Sequence, residues 1–164
     1  MFELVVVKRS KGDFAGKKIN MDLSIIILSY NTKNILKDCL ESIFNNSKDL
    51  RFEVIVVDNN SSDGSLELIQ KSFPKVILIK NNKNEGFARG NNQGIKCALG
   101  KYLLFLNSDT IVKKDTLEEM IEFMDQHPQA AVIGPKLLNT DLSVQPSAGR
   151  FPSLRVVFIM LFLE

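Results

Sequence analysis

The sequence has two cysteines, one histidine, no apolar run of membrane-spanning length and almost no net charge. Cys39 and Cys97 stand in no metal-binding or redox spacing. That excludes a disulfide scaffold, and both read as free, buried thiols in a reducing compartment. The lone His127 precedes Pro128 at a helix end and reads as a partner for the helix dipole, not a catalyst. The longest apolar run, Val156–Leu163, has eight residues, against about 20 for a bilayer span. It reads as a core segment, an interfacial helix or the opening of something longer. Leu4–Val7 is too short for the apolar region of an export signal, and the charges follow it instead of preceding it. Net charge is +2. Residues 1–21 hold five basic and two acidic groups, so the rest is nearly neutral. A broad basic face for nucleic acid is thereby excluded. The N-terminal excess reads as a solvated arm, with contact to anionic lipid as the alternative.

What is present is one domain's worth of chain: 164 residues, 45% hydrophobic and 24% charged. That is enough to bury a core without staples. Residues 1–21 read as an N-terminal appendage, because a Lys/Gly-rich stretch separates them from the apolar pattern that begins after Met21-Asp22. From there strands and helices alternate. Leu23–Tyr30 is a continuous apolar run that suits a strand buried on both faces. Ile35, Leu36, Cys39, Leu40, Ile43 and Phe44 recur at helical spacing. Glu53–Val57, Val76–Ile79, Tyr102–Leu106 and Ala131–Ile133 read as further strands. Asp63 is placed to cap a helix carrying Leu66, Ile69 and Phe73 that ends before Pro74. A third helix spans Gly90 to Leu99, with Gly100 as its C′ residue. Asp115 and Glu118 resemble an N-cap and its partner, ahead of Leu117, Met120, Ile121 and Met124. The order βαβαβαβαβ predicts an α/β fold, a mostly parallel sheet with helices on both faces.

In such sheets ligands bind at the carboxyl ends of the strands, and those ends are rich in short polar residues. They are Ser29-Tyr30-Asn31, Asp58-Asn59-Asn60-Ser61-Ser62-Asp63-Gly64, Asn81-Asn82-Lys83-Asn84-Glu85-Gly86 and Asn107-Ser108-Asp109-Thr110. One such loop alone reads as a turn; four on one edge predict a polar cleft. The Asp58 carboxylate can accept paired hydrogen bonds from a nucleobase edge or a ribose diol. Tyr30 offers a flat face for a base. Ser29, Asn31 and Asn60 complete the candidate binding set around them. Asn107 and Asp109 are two apart on an extended segment and point the same way. Both can turn an oxygen to one hard cation, Mg²⁺ or Mn²⁺, that bridges to phosphates; an Asx turn is the alternative. In Asn84–Gly94, glycines permit close backbone approach, a helix start favours anions, and Arg89 can hold phosphate in a fork. Neither the dinucleotide nor the P-loop spacing occurs.

The succession SIIILSYN, EVIVVDNNSSDGS, NKNEGFARGNNQGI and YLLFLNSDT resembles the nucleotide-sugar-binding half of family 2 glycosyltransferases, whose fold is GT-A, a Rossmann-like α/β sheet. The third segment, with Gln145-Pro146-Ser147-Ala148-Gly149-Arg150-Phe151-Pro152, resembles the rhamnosyltransferase-type branch, which implies dTDP-rhamnose as donor. The resemblance runs from about Asp22 to Pro152. It implies that Tyr30 lies against the base, Asp58 binds the base edge and Arg89 lies near the diphosphate. It matches Asn107 and Asp109 to the D-x-D metal motif. Asn107 replaces an acid there, which should weaken metal affinity. The implied reaction is inverting transfer of a sugar from a nucleoside diphosphate sugar to the hydroxyl of an acceptor glycan or lipid-linked glycan, in cell-surface polysaccharide synthesis. A nucleotidyltransferase would want a glycine-rich basic loop after the first strand, and Ser29-Tyr30-Asn31-Thr32 is not one.

The resemblance also implies a general base in the C-terminal half of the domain. No Asp, Glu or His lies between Asp141 and Glu164. The expectation is therefore a C-terminally truncated domain: residues 22–140 bind the donor and residues 141–164 begin the acceptor region and end in an apolar tail. Such a chain is either a glycosyltransferase part or a nucleotide-sugar-binding remnant or split subunit without transfer of its own. The tail would seek a second copy, a partner chain or a membrane surface. The expected location is the cytoplasm, at its periphery the inner membrane face.

Overall fold

The computed structural model of the chain describes residues 4–9 and 21–146. The strands are β1 (Leu4–Lys8), β2 (Met21–Ser29), β3 (Phe52–Asp58), β4 (Ile77–Lys80), β5 (Gly100–Asn107) and β6 (Val132–Ile133). The helices are α1 (Lys33–Asn46), α2 (Ser65–Ser72), α3 (Phe87–Cys97) and α4 (Thr116–Gln126). These strands form one sheet in the order β4-β3-β2-β5-β1-β6. The pairs β2–β3, β2–β5 and β3–β4 are parallel. The α/β class and the mostly parallel sheet expected from the alternating pattern are therefore present.

The unbroken apolar run of β2 follows from its central place. Leu23, Ile25, Ile26 and Ile27 have no exposed surface, because a strand paired on both edges and covered on both faces has no side open to water; the buried Ser24 among them is bonded to Glu53. Ile26, Ile55, Val57, Ala98 and Leu103 form one cluster, with Leu28, Ile79, Ile95 and Phe105 against it. The alternate residues Ile25, Ile27, Val54, Val56, Leu104 and Leu106 are buried on the opposite face. From β2 the chain steps outward through α1 to β3 and through α2 to β4. It then returns through α3 to the other side of β2. Right-handed crossovers place α1 and α2 on one face and α3 on the other. The reversal falls between β2 and β5, and this is the switch point at which open α/β sheets bind ligands.

Several local expectations are corrected. The first concerns residues 1–21: Leu4–Lys8 is no appendage but pairs antiparallel with β5, from Leu4 opposite Leu106 to Lys8 opposite Tyr102. Val6 is completely buried. The +3 charge of the segment masked an apolar core of four residues that suffices for a short strand. Second, β6 meets the sheet only through β1, antiparallel to it. Third, α3 starts at Phe87 and ends at Cys97. Gly100 opens β5 and caps nothing. A Cβ there would lie 2.6 Å from the Leu23 carbonyl carbon, so the glycine serves close strand approach. On α3, a Cβ at Gly94 would lie 2.6 Å from Ile26 Cγ2 and one at Gly90 would strike Leu28. The two glycines, one turn apart, let the helix press onto β2. Fourth, Gly64 stands at the N-cap position of α2, but Asp63 just before it does serve that helix start, its Oδ1 accepting the Ser65 N–H. Asp115 is the N-cap of α4 and makes no side-chain cap bond, its φ being positive. Fifth, Cys39 is buried but Cys97 is exposed, and both are free.

His127 is the C-cap of α4, with its ring stacked on Phe123 at 4.0 Å. Lys136–Pro146 belongs to a separate unit. There β7 (Leu137–Leu138) and β8 (Val144–Gln145) form an antiparallel pair, and Asp141 accepts the Ser143 N–H and hydroxyl. The apolar run Val156–Leu163 and residues 147–152 lie outside the described residues. Among the described residues no helix is long and apolar enough to cross a membrane.

Candidate functional site

The register brings the candidate residues to one rim. Ser29 is directly opposite Asp58 on β3, and Leu28 is opposite Asn107 on β5. Asp58 and Asn107 are thus two strand spacings apart, about 10 Å, with the end of β2 between them. Asp109 follows within the turn that leaves β5.

Asp58 has no exposed surface. Its Oδ2 accepts the Ser61 N–H at 2.8 Å, while Oδ1 is buried without a hydrogen-bond partner. A buried carboxylate oxygen left unpaired is costly. Ser29 is also buried, its hydroxyl 3.0 Å from the Thr32 hydroxyl. Tyr30 is half exposed at the same rim. Asn31 and Asn60 both have positive φ, which side chains of this kind tolerate best. Asn31 ties the two loops together: its N–H donates to Ser61 Oγ and its Oδ1 accepts the Ser62 N–H, each at 2.8 Å.

Asp63 completes that tie. Its Oδ1 accepts the first N–H of α2 and its Oδ2 the first N–H of α1. Burial acts to raise its pKa, but hydrogen bonds from Ser65 and from the Lys33 N–H prevail and hold it below the usual carboxylate value. One carboxylate therefore anchors two helix starts at the rim.

Arg89 is exposed and ion-paired with Glu85 at 2.9 Å. The structure brings it to the loop side of the rim but commits its guanidinium to a carboxylate. Glu85 itself and the amides Asn59, Asn81, Asn84 and Gln93 have no individual role in the sequence reading. They lie inside polar strings that were legible only as strings.

On the other side of β2, the Asn107 carbonyl accepts a bond from Thr110 N–H and lies 3.8 Å from Cys39 Sγ. The Cys39 thiol is pushed up to about 12, first by burial and then by the negative charge of Asp109. Asp109 itself is exposed. Among the described residues no three acids, histidines or cysteines gather as a metal cluster. The donors at the end of β5 are one carboxylate and one amide oxygen. That set fits a hard cation that keeps waters and takes its other oxygens from substrate phosphates, as Mg²⁺ does, and does not fit a closed protein cage.

Residues 24–146 match the family Glycosyl transferase family 2. The chain is 37% identical over 117 residues to the uncharacterised glycosyltransferase YfnE of Bacillus subtilis. That match takes 70% of this chain and 30% of YfnE. It is 34% identical over 116 residues to the minor teichoic acid biosynthesis protein GgaB of the same organism, covering 68% of this chain and 13% of GgaB. It is 30% identical over 119 residues to the poly(ribitol-phosphate) beta-glucosyltransferase of Bacillus spizizenii, covering 70% and 19%. The chain thus spans less than a third of the length of each of these relatives. Among solved structures, S. aureus TarS 1–349 in complex with UDP-GlcNAc superposes with a TM-score of 0.60 and 31% identity, over 66% of this chain and 32% of that one. A mannosyltransferase from Pyrobaculum calidifontis with GDP-Man and Mn²⁺ shares the fold at a TM-score of 0.57. With the matched region running from within β2 through β5 and taking in the polar rim, this chain belongs to glycosyl transferase family 2.

Proposed function

We propose that the rim between β2, β3 and β5 binds a nucleoside diphosphate sugar, and that the protein transfers its sugar with inversion to the hydroxyl of a cell-surface glycan or lipid-linked glycan. The observation that carries this reading is the orphaned, buried Oδ1 of Asp58 at the carboxyl end of β3, one strand from the topological switch point. Asp58 takes a donor group from the base edge, Tyr30 packs on the base face, and Ser29, Asn31 and Asn60 shape the rim. Arg89 meets the diphosphate by exchanging Glu85 for phosphate, and Asn107 lines the path to the sugar. Asp109, with the Asn107 oxygen, holds a divalent cation together with the donor's phosphates. That cation, when bound, neutralises charge on the leaving diphosphate. The acceptor hydroxyl needs a base, and none is assigned to this chain. Rhamnosyl transfer from dTDP-rhamnose is the finer reading, supported by the Asn84–Gly94 and Gln145–Pro152 sequences. A cytosolic supply of activated sugars supports a cytoplasmic location, at its periphery the inner membrane face.

The alternative reading is a donor-binding unit with no transfer of its own. Both are tested by calorimetric titration with UDP-, GDP- and dTDP-sugars in Mn²⁺, followed by release of nucleoside diphosphate. Saturable binding that weakens at least tenfold in Asp58→Ala and in Asp109→Ala is expected. Two variants that bind like the parent overturn the site. Binding without turnover on any acceptor selects the alternative reading.

A further inference from the structure

Behind Asp58 lies a closed network of side-chain amides. Asn59 is 2% exposed. Its Nδ2 donates to Asn84 Oδ1 at 3.2 Å, and its Oδ1 accepts from Asn81 Nδ2 at 2.9 Å and from the Glu85 N–H at 3.4 Å. Asn81 and Gln93 exchange a reciprocal pair of bonds, Nδ2 to Oε1 and Nε2 to Oδ1, each 2.9 Å. Asn84 Oδ1 also accepts the Gly86 N–H at the start of α3. The backbone joins the same lattice: the Asn59 N–H donates to the Ser29 carbonyl and the Asn81 N–H to the Asp58 carbonyl.

We infer that Asn59, Asn81 and Gln93 are positioning residues that set the selectivity of the site for the nucleotide's base. The inference rests on the donor-site reading above. Asp58 has one oxygen spent on Ser61 and one left over, so it recognises a base with a single acceptor. A single acceptor discriminates only if its position is held. Uracil and thymine present a ring N–H, cytosine an exocyclic amine and guanine both, and a displacement of about 1 Å in the acceptor blurs that difference. The peptide group that follows Asp58 is held by the Ser29 carbonyl, which accepts the Asn59 N–H, and by the Asn81 N–H, which donates to the Asp58 carbonyl; the Asn81 side chain is held in turn by Asn59 and Gln93. The linked amides also fix the 84–86 loop across from it. A linked polar network anchored on a buried residue, here Asn59, favours one arrangement of its loops.

The test uses the full chain with Gln93→Leu and, separately, Asn81→Ala. Dissociation constants are measured for UDP, dTDP, GDP, CDP and inorganic pyrophosphate, alongside thermal unfolding midpoints and Asp58→Ala as reference. The expected result is a five- to tenfold loss for the preferred nucleotide. The ratio of preferred to least preferred base should shrink by that factor, with pyrophosphate binding unchanged. A lowered unfolding midpoint with the base ratio intact overturns the inference and leaves the network purely structural. A loss equal for all nucleotides and for pyrophosphate overturns it as well. If Asp58→Ala itself leaves nucleotide binding unchanged, the donor-site reading fails. If Asp58→Ala abolishes discrimination and both network variants retain it, only the network inference fails.

Discussion

Ser29 and Asp58 are direct partners across the β2–β3 ladder, both buried, at the last register position before the two strands part. Where a parallel ladder ends, the backbones diverge and the side chains of the final pair face the opening between them. One hydroxyl and one carboxylate at that place make the floor of the candidate site. The loops that follow are stitched over it by Asn31, Asp63 and Asn59. The polar rim is therefore an organised surface, with its side chains bonded to the neighbouring loops.

At the opposite end of the sheet Glu53 performs a purely structural task. Its carboxylate accepts the Ser24 hydroxyl and the Leu99 N–H, and Ser24 Oγ accepts the Gly100 N–H. Glu53→Leu leaves a buried hydroxyl and a backbone N–H unpaired and is expected to cost about 2–3 kcal/mol. Nucleotide affinity should be unchanged, because the residue lies at the far edge. Urea unfolding and nucleotide titration of one preparation check both halves of this prediction.

Gly94→Ala sets two effects against each other. Alanine improves helix propensity by about 1 kcal/mol, while its Cβ meets the β-branched Ile26 at 2.6 Å. Overpacking of a tight core costs about 1–3 kcal/mol, so net destabilisation is expected. Gly100→Ala should be worse, since its Cβ meets backbone at Leu23 and Ser24, which cannot rotate away. The order parent, Gly94→Ala, Gly100→Ala in unfolding midpoint is the measurable outcome, and a Gly100→Ala chain as stable as the parent refutes it.

The strand before the family match is expected to be integral to the fold. Val6 is completely buried between β5 and β6, whereas Val132 is 54% exposed. Val6→Ala should cost about 1–2 kcal/mol by loss of packing, and Val132→Ala should stay within about 0.5 kcal/mol. Equal denaturant midpoints for the two variants would show that the segment contributes no core.

Acid should weaken the fold through surface carboxylates that are held ionised. The Lys101 ammonium and the Tyr102 hydroxyl donate to Asp125 and keep it below its ordinary 3.8. The Arg51 guanidinium does the same for Asp22 in a two-bond fork. A carboxyl depressed in the folded chain binds its proton more tightly when unfolded. Its stabilisation is therefore complete above about pH 4 and is lost as pH falls through the lower folded value. Both pairs are largely solvated, so each effect is small. Thermal unfolding between about pH 2 and 6 should show a midpoint that drops on acidification, with a shallower drop in Asp125→Asn. A flat profile for the parent contradicts this.

Periodicity carried a great deal. A run such as Leu23–Tyr30, apolar at both parities, is tolerable only in a strand covered on both sides, and this requires the parallel, helix-flanked sheet. The clustering of Asn, Asp, Ser and Gly after each such run located the rim. Pattern failed where one residue type serves two physical ends. Gly100 after a helical stripe looks like a terminator, and only the distance to the Leu23 backbone shows that it permits a close strand contact. Leu4–Val7 carries too few apolar residues to announce a strand amid its charges, because the partner that makes it one is about 100 positions away.

Chain-local chemistry thus set the kinds of elements, their order and the edge on which polar groups collect, since helix and strand periods and turn preferences act over a few residues. Folding in three dimensions decided which polar groups remain available. Asp58 Oδ1 is unpaired, Arg89 is engaged by Glu85, and Asn59 is joined to Asn81 and Asn84. Hydrogen bonds and ion pairs form between atoms near in space, and nearness in space across strands and loops is a property of register and crossover that no local pattern encodes.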